Sequence, residues 1–404
     1  MNKDIKLISQ LNKDWQPGKI KVKRAGGQTN RNYIVQYKNK KFFVRLPWER
    51  TDIVDRKVEA DNILALAKCQ RLRGVVPRFF IYVLRKKNIL NSNGKYDFPD
   101  GTMMMEYIEG RDIDGRDFKK AKCQKALIDS LYKFHASGVK FVNHYDVFRD
   151  EVEKYRKKAK KYPLSKLLKK EDVKKIEEIE KKAKEKLPLG GKLSTHNDLI
   201  FENLRLGRNG KIYILDFEYA GLNIRNGLHY DLGIIFGGNL FYKNPIKFKN
   251  FEQFLEKAEK RYRRKLDDNK IYCGALTNVL VMFWWGVVKY FSSATKAEKK
   301  YFKDRAAYLP HGFEHGFVSQ RIADSEQAFR FYSCQLAEKE YSQILINSGR
   351  TDVHSDRRGV DSDNLFVDEI LQLLPNVLSE LLNYHLRFRP AFNGYANLIS
   401  RVKE

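Results

Sequence analysis

Between Thr195 and Gly221 the chain reads THNDLIFENLRLGRNGKIYILDFEYAG, and this stretch concentrates residues able to do chemistry. His196, Asn197 and Asp198 are consecutive, Asn203 follows Asp198 by five residues, and Asp216 closes the apolar run KIYILDF. Phosphoryl transfer needs one carboxylate to orient an attacking hydroxyl and accept its proton. It also needs a carboxamide and a second carboxylate to hold Mg2+ across the nucleotide phosphates. Asp198 fits the first role, while Asn203 and Asp216 fit the second. The intervening LIFE is the loop that lets Asp198 and Asn203 face one cavity. His196 reads as an orienting, hydrogen-bonded residue, not a metal ligand. A polar loop with a capping Asp explains single members of this set but not the whole of it.

Other elements must position these groups and the phosphates. The loop Gly26-Gly27-Gln28-Thr29-Asn30 separates two strand-like runs. Glycines let a backbone approach phosphate closely, and amides and a hydroxyl can cradle it. Taken alone, the same residues make an ordinary turn. Arg45, in a strand otherwise of Phe, Val and Leu, and Glu59, on the helix after it, raise the odds of the phosphate reading. A strand cation paired with a helix carboxylate holds nucleotide phosphates in kinase-like folds. The usual cation is Lys, and Arg is a fork-shaped donor that is not a simple equivalent.

Alternation and β-branched or aromatic enrichment predict strands over Lys19–Arg24, Tyr33–Tyr37 and Phe42–Leu46, then a helix over Val54–Cys69. The strands RFFIYVL and GTMMMEYIEG follow, and from about Phe118 helical periodicity dominates. The order is a small β-rich lobe and then a larger helical one, with no repeat.

The chain of 404 residues, 42% hydrophobic and 13% aromatic, suits a globular protein and not a disordered one. Cys69, Cys123, Cys273 and Cys334 are far apart without a Cys-x-x-Cys pair, which points to a reducing, cytoplasmic setting. The charged N-terminus has no signal-peptide pattern, and the apolar run Val279–Val288 is too short to span a bilayer. No transmembrane segment is expected. A net charge of +28 attracts nucleic acid, anionic membrane or phosphate-bearing substrates. No nucleic-acid-binding signature accompanies it, so no specific nucleic acid is expected. The Lys-rich run Glu151–Leu187 carries Ile176, Ile179, Ala183 and Leu187 at helical spacing, as a solvated amphipathic helix does.

HNDLIFENLRL with IYILDFEYAG resembles the signature of choline/ethanolamine kinases, a branch of the aminoglycoside-phosphotransferase-like kinases. GGQTNRNY resembles the phosphate loop of that family, FFVRL its strand with Arg in the Lys position, and DRKVEA its Glu-bearing helix. LYKFHASG, FWWGVVKYF and YFKDRAAY resemble later segments in the same order, from residue 19 to 310. The resemblance implies an α+β, two-lobed protein-kinase-like fold with a small β-rich N-lobe and a larger, mainly helical C-lobe. It further implies ATP and Mg2+ as cofactors. The nucleotide set is Gly26, Gly27, Thr29, Asn30, Arg45, Glu59, Glu106 and Ile108, with Asn203 and Asp216 on the metal.

Choline as acceptor would be held by aromatic faces and a carboxylate. The resemblance assigns Trp285 and Tyr301 as walls and Glu218 or Asp231 as the negative charge; the competing reading packs Trp284, Trp285, Phe283 and Tyr290 into the core. A second Trp that relatives often carry three residues further on is Val288 here, which keeps ethanolamine in play. Thiamine and aminoglycosides are further alternatives within the fold, and an idle binding module with a basic surface is the rival outside it. His135 is expected to close the helix under the catalytic loop, and His311 and His315 lack a third ligand nearby. The expected division is 1–108 for nucleotide, 109–319 for catalysis and acceptor, and 320–404 as a helical extension. A homo-oligomer stays open.

Overall fold

The computed structural model describes residues 3–25, 30–47, 55–91, 97–168, 170–240, 242 and 244–293. Gly26, Gly27, Gln28, Thr29, Tyr301, His311, His315, Cys334 and the extension 320–404 lie outside the described residues. The helices are α1 (Lys3–Ser9), α2 (Arg56–Lys68), α3 (Ala121–His135), α4 (Glu153–Ala159), α5 (Lys170–Lys186), α6 (Gly227–Gly237), α7 (Phe248–Tyr262) and α8 (Asp268–Ser292). A β-sheet-rich N-terminal part and a helical C-terminal part give the mixed α and β content expected. The chain forms two compact units, Met1–Asp146 with Leu189–Ile235 and Asn250–Leu266, and Val147–Pro188 with Phe236–Lys249 and the chain from Asp267.

The first unit holds all the described strands. These are β1 (Ile20–Arg24), β2 (Asn30–Tyr37), β3 (Lys40–Pro47), β4 (Phe79–Leu84), β5 (Lys87–Asn88), β6 (Met103–Glu106), β7 (Gly110–Asp112), β8 (His144–Tyr145), β9 (Leu193–Thr195), β10 (Leu204–Gly207), β11 (Ile212–Ile214) and β12 (Gly221–Asn223). The main sheet runs β1-β2-β3-β6-β4-β5, every neighbour antiparallel. Side chains alternate across a strand, so Val44 and Leu46 of β3 point one way and Arg45 the other. Val44 and Leu46 join a core of Ile8, Leu11, Trp15 and Val35, where each fully buried aliphatic side chain contributes about 1.5–3 kcal/mol. Arg45 is left for the opposite face, where α2 lies.

Helix α2 starts because Asp55 caps it, its Oδ1 accepting from the N–H groups of Lys57 and Val58 at 3.0 and 3.1 Å. The helix expected from Val54 therefore begins at Arg56. Its buried face carries Glu59, Asn62, Ile63 and Leu66, spaced by three or four residues. Two polar residues thus share a stripe with the core.

Two small sheets complete this unit: β11-β10-β7, and β8-β12-β9, in which β8 and β12 are parallel. The short β5, β7, β8, β9 and β12 escape sequence periodicity because two or three residues cannot show one. Gly110 is required where β7 crosses β10, since a Cβ there would lie 2.0 Å from the Leu206 carbonyl oxygen.

In the second unit the Lys-rich run forms α4 and α5, not one helix. Ile176, Ile179, Ala183 and Leu187 are buried as their spacing predicts. Helix α8 is capped by Asp267, which accepts from Lys270 N–H at 3.2 Å. By length and composition α8 could cross a membrane, longer than the run Val279–Val288 suggested, yet 78% of its apolar window is buried in the protein. Trp284 is fully buried, and its indole N–H donates to the Glu180 carboxylate, which Arg156 also reaches at 2.9 Å. Trp284 is core.

Candidate active site

The chain from β9 to β10 is held by an unusually complete set of hydrogen bonds. Asp231, on α6, is fully buried; its Oδ2 accepts from the His196 N–H at 3.0 Å and its Oδ1 from the Asn197 N–H at 2.8 Å. His135, the last residue of α3, donates from Nε2 to the same Asp231 Oδ2 at 2.9 Å, while its Nδ1 meets the Tyr262 hydroxyl at 2.7 Å. Asn197 sits at φ 65°, a conformation a non-glycine residue adopts at a cost. Its side chain offsets that cost. Oδ1 accepts from Thr195 Oγ1 and Asn223 Nδ2 at 2.7 and 2.9 Å, and Nδ2 donates to the Tyr219 carbonyl at 3.0 Å.

His196 is the orienting residue its sequence position suggests. Nε2 lies 2.7 Å from the Leu215 carbonyl and so donates, which leaves Nδ1 to accept from the Asp198 N–H at 3.2 Å. Burial holds its pKa below the ordinary histidine value despite Asp231 nearby, so the ring stays neutral. Asp198 is only half-buried. Asn203 donates from Nδ2 to the Asp198 Oδ2 and carbonyl oxygen, both at 2.9 Å, and keeps its own amide oxygen to offer elsewhere.

Asp216 is joined to this loop through the backbone, for Leu215 N–H donates to the Asn203 carbonyl at 2.9 Å. It too is left-handed, at φ 59°. Its Oδ1 is buried without a hydrogen-bond partner, and Arg45 Nη1 approaches it only to 4.0 Å. Two residues on, Glu218 Oε2 is likewise buried and unpartnered. Burial raises the pKa of both carboxyls; Glu59 adds to this at each by like charge, and Asp216 does so at Glu218, against the opposing charge of Arg45. Unpartnered carboxylate oxygens and an amide oxygen are the donor types that a divalent cation takes.

Arg45 and Glu59 meet as expected, Nη2 to Oε1 at 2.6 Å, with side chains only 4% and 1% exposed. Burial alone would lower the Arg45 pKa, but Glu59 and the neighbouring acids more than reverse this and raise it. Glu59 is correspondingly lowered by Arg45 and Arg56 against its own desolvation. The Tyr82 hydroxyl and Arg56 Nη1 fill the second Glu59 oxygen at 2.6 and 2.7 Å, and Arg45 Nε and Nη2 donate to the Gly101 carbonyl. An opening beside the pair is lined by Met103, Met105, Asp216 and Phe217.

The remaining expectations divide. Asn30 is buried and its amide oxygen accepts from Arg56 at 2.9 Å. Glu106 and Ile108 lie at and just beyond the end of β6. Asp231, expected to offer charge to an acceptor, is corrected to a scaffold residue, because its buried oxygens are taken by the catalytic loop and His135. Trp285 lies half-buried on α8 in the second unit, with Lys289 Nζ 5.8 Å from its ring centre. Sequence reasoning missed Tyr82 and Arg56 as partners of Glu59, although Arg56 stands three residues before it on a helix, a signal that was available. It also missed Asn62, which donates from Nδ2 to the Ala220 carbonyl at 2.7 Å and ties α2 to the chain after Asp216.

An antiparallel sheet with a buried strand cation, a helix carboxylate against it, and a loop joining Asp198, Asn203 and Asp216 define the protein-kinase-like fold. Solved structures agree. Choline kinase LicA from Streptococcus pneumoniae superposes with a TM-score of 0.54 at 21% identity, over 71% of this chain and 92% of that one. A choline kinase from Cryptosporidium parvum gives 0.55 at 16%, over 86% and 96%. The family model for choline/ethanolamine kinase matches residues 22–263, more than half of the sequence, and the chain belongs to that family. Protein LicA of Haemophilus influenzae is 25% identical over 212 residues, 50% of this chain and 55% of that protein. The chain therefore spans about half the length of the curated relative it matches.

Proposed function

We propose that the protein is an ATP- and Mg2+-dependent phosphotransferase acting on the hydroxyl of a small amino alcohol, choline first. The observation that carries this reading is one unbroken run of contacts. Asn203 binds Asp198 and receives the Leu215 N–H, the next residue is Asp216, and Arg45 Nη1 stands 4.0 Å from it. A proton acceptor, two metal-type ligands and a phosphate-type cation are thus assembled in sequence.

In this reading Asp198 orients the acceptor hydroxyl and takes its proton as the new O–P bond forms. The Asn203 amide holds the carboxylate in place, so little reorganisation is needed. Asn203 Oδ1 and Asp216 would hold Mg2+, which supplies charge neutralisation across the phosphates. Arg45 donates to phosphate oxygens, aimed by Glu59, which is itself fixed by Tyr82 and Arg56. Glu218 faces the acceptor or the cation. The division into a nucleotide part (1–108) and a catalytic part (109–319), and a reducing, cytoplasmic setting, belong to the same proposal.

The test is a panel of choline, ethanolamine, thiamine and an aminoglycoside with labelled ATP and Mg2+. Choline phosphorylated fastest supports the full reading, whereas no product from any acceptor overturns it in favour of a binding module. Ethanolamine is the second reading, favoured by Val288 in place of an aromatic wall and by Lys289 beside the Trp285 ring. A quaternary ammonium gains about 0.5–2 kcal/mol from an aromatic face. Trp285→Ala, if its melting curve shows a folded protein, should therefore weaken choline use more than ethanolamine use. Equal losses would make Trp285 a packing residue.

A further inference from the structure

Asn62 is fully buried in the middle of α2, on the stripe that also carries Glu59, Ile63 and Leu66. A buried carboxamide on such a stripe lowers stability unless all its polar atoms are paired. Here only part of it is paired. Nδ2 donates to the Ala220 carbonyl at 2.7 Å and to Asn143 Oδ1 at 3.0 Å, while Oδ1 is buried without a hydrogen-bond partner. The Ala220 carbonyl also accepts from Asn143 Nδ2 at 3.1 Å, so it does not need Asn62 to be satisfied. Packing alone would be served as well by an aliphatic side chain, and the Asn62 donor calls for another reason.

That reason lies in what the bond joins. Asn143 fastens the same chain a second time, its carbonyl accepting from the Leu222 N–H at 2.8 Å. A Cβ on Gly221 would lie 2.5 Å from Asn143 Nδ2, so this approach requires glycine. Upstream, the Ala220 N–H donates to the Phe217 carbonyl at 3.2 Å, closing a turn that follows directly on Asp216. On α2, Glu59 precedes Asn62 by three residues, about 4.5 Å along the axis, and lies on the same face. Glu59 holds Arg45, whose Nη1 stands 4.0 Å from Asp216 Oδ1. One turn of helix therefore carries both the brace of the cation and the tie to the chain that holds the carboxylates.

We propose that Asn62 and Asn143 form a positioning clamp that fixes the separation of Arg45 from the Asp216–Glu218 segment, so that a divalent cation and the nucleotide phosphates strengthen each other's binding. This rests on the nucleotide and metal reading proposed above, and adds the residues that hold the two sites in register. Both act through α2 and the turn at 217–220, not on the substrates. The gain is reciprocal: whatever factor Mg2+ adds to ADP affinity, ADP adds to Mg2+ affinity. The clamp sets that factor, while nucleotide binding without metal depends on Arg45 and Glu59, which hold each other.

The experiment measures ADP binding by calorimetry, with and without Mg2+, for the full chain and for Asn62→Leu and Asn143→Ala. The readout is the factor by which Mg2+ strengthens ADP. Asn62→Leu should keep metal-free ADP affinity within about twofold but cut that factor by about fivefold or more, with Asn143→Ala cutting it by about twofold. Turnover of Asn62→Leu at saturating substrates should fall by about tenfold, with the acceptor KM changed less than about twofold. If the wild-type protein binds no ADP, or Mg2+ does not strengthen it, the nucleotide and metal reading and this inference fall together. If the wild type shows the factor and a folded Asn62→Leu keeps it, only the inference falls, and Asn62 is a structural tie whose loss moves the melting temperature alone. Should Asn62→Leu not fold, an unchanged factor in Asn143→Ala, at a half-buried position, overturns the proposal by itself.

Discussion

Two stretches of the first unit, twenty residues apart, are built on opposite plans. In His196–Asn197 the main-chain N–H groups and the side chains all have protein partners, supplied by Asp231, Thr195, Asn223, Leu215 and Tyr219. In Asp216–Glu218 two carboxylate oxygens are buried with no hydrogen bond at all. Both contain a non-glycine residue in the left-handed region, but Asn197 is hydrogen-bonded at both ends of its amide whereas Asp216 keeps one oxygen without a partner. The first is completed by folding; the second keeps two buried oxygens without hydrogen-bond partners. Substitutions should therefore lower stability in one stretch and ligand affinity in the other.

Asp198 stands at the working end of the finished stretch, half-buried and bound to Asn203. Asp198→Asn keeps the size but loses the base, and turnover should fall by roughly 100-fold or more with ADP binding little changed. Near-normal turnover would remove Asp198 from the chemistry. Asp216→Ala should act differently, weakening Mg2+-ATP binding and turnover together by about tenfold or more. Its melting temperature without ligand should change little, because the Asp216 side chain is 40% exposed and Arg45 stands 4.0 Å from it. If Mg2+ and ADP still stabilise that variant as they do the wild type, Asp216 is not a metal ligand.

Asp231→Asn probes the finished stretch from below. The amide presents N–H where a backbone N–H or His135 already donates, and folding stability should drop by about 1–3 kcal/mol in chemical denaturation. A wild-type midpoint would show that the loop does not depend on α6. The mildest test uses acid. His196 is held below its ordinary pKa by burial, so the unfolded chain binds a proton first as pH falls. Its contribution is constant above about pH 6.5 and is lost below it by about 1.4 kcal/mol per pH unit, until the folded pKa is reached. His196→Gln should flatten that acid limb, and an unchanged slope would assign it to other groups.

The spacing of Asp198, Asn203 and Asp216 was legible because a loop between two short strands leaves little freedom in where such residues point. Arg45 was legible for a similar reason, since a lone cation in an alternating apolar strand must leave the core face. What stayed hidden depends on residues distant in sequence. Asp231 looks like an acid available to a ligand, and only the fold shows it under His196 and Asn197. Tyr82 and Asn62 carry no local signal, since their partners come from other elements. Trp284 and Trp285 are neighbours of one type on one helix, and sequence spacing could not say which is core. The glycines of the phosphate loop and Tyr301 fall outside the described residues, so their assignments rest on family likeness.

Asp231 also sets the order in which the catalytic loop can become itself. Its partners His135 and His196 precede it by 96 and 35 residues, so three distant parts of the chain must meet. At synthesis rates of about 5–20 residues per second, Asp231 leaves the ribosome roughly 5–20 s after His135. The main β-sheet, complete by Glu106, has its strands earlier. Asp231 follows His196 by 35 residues, roughly 2–7 s, and until then the His196 and Asn197 amides lack this acceptor and the loop has no reason to hold its left-handed turn. A nascent chain interrupted before α6 would carry the main sheet but not the geometry of the loop at His196 and Asn197.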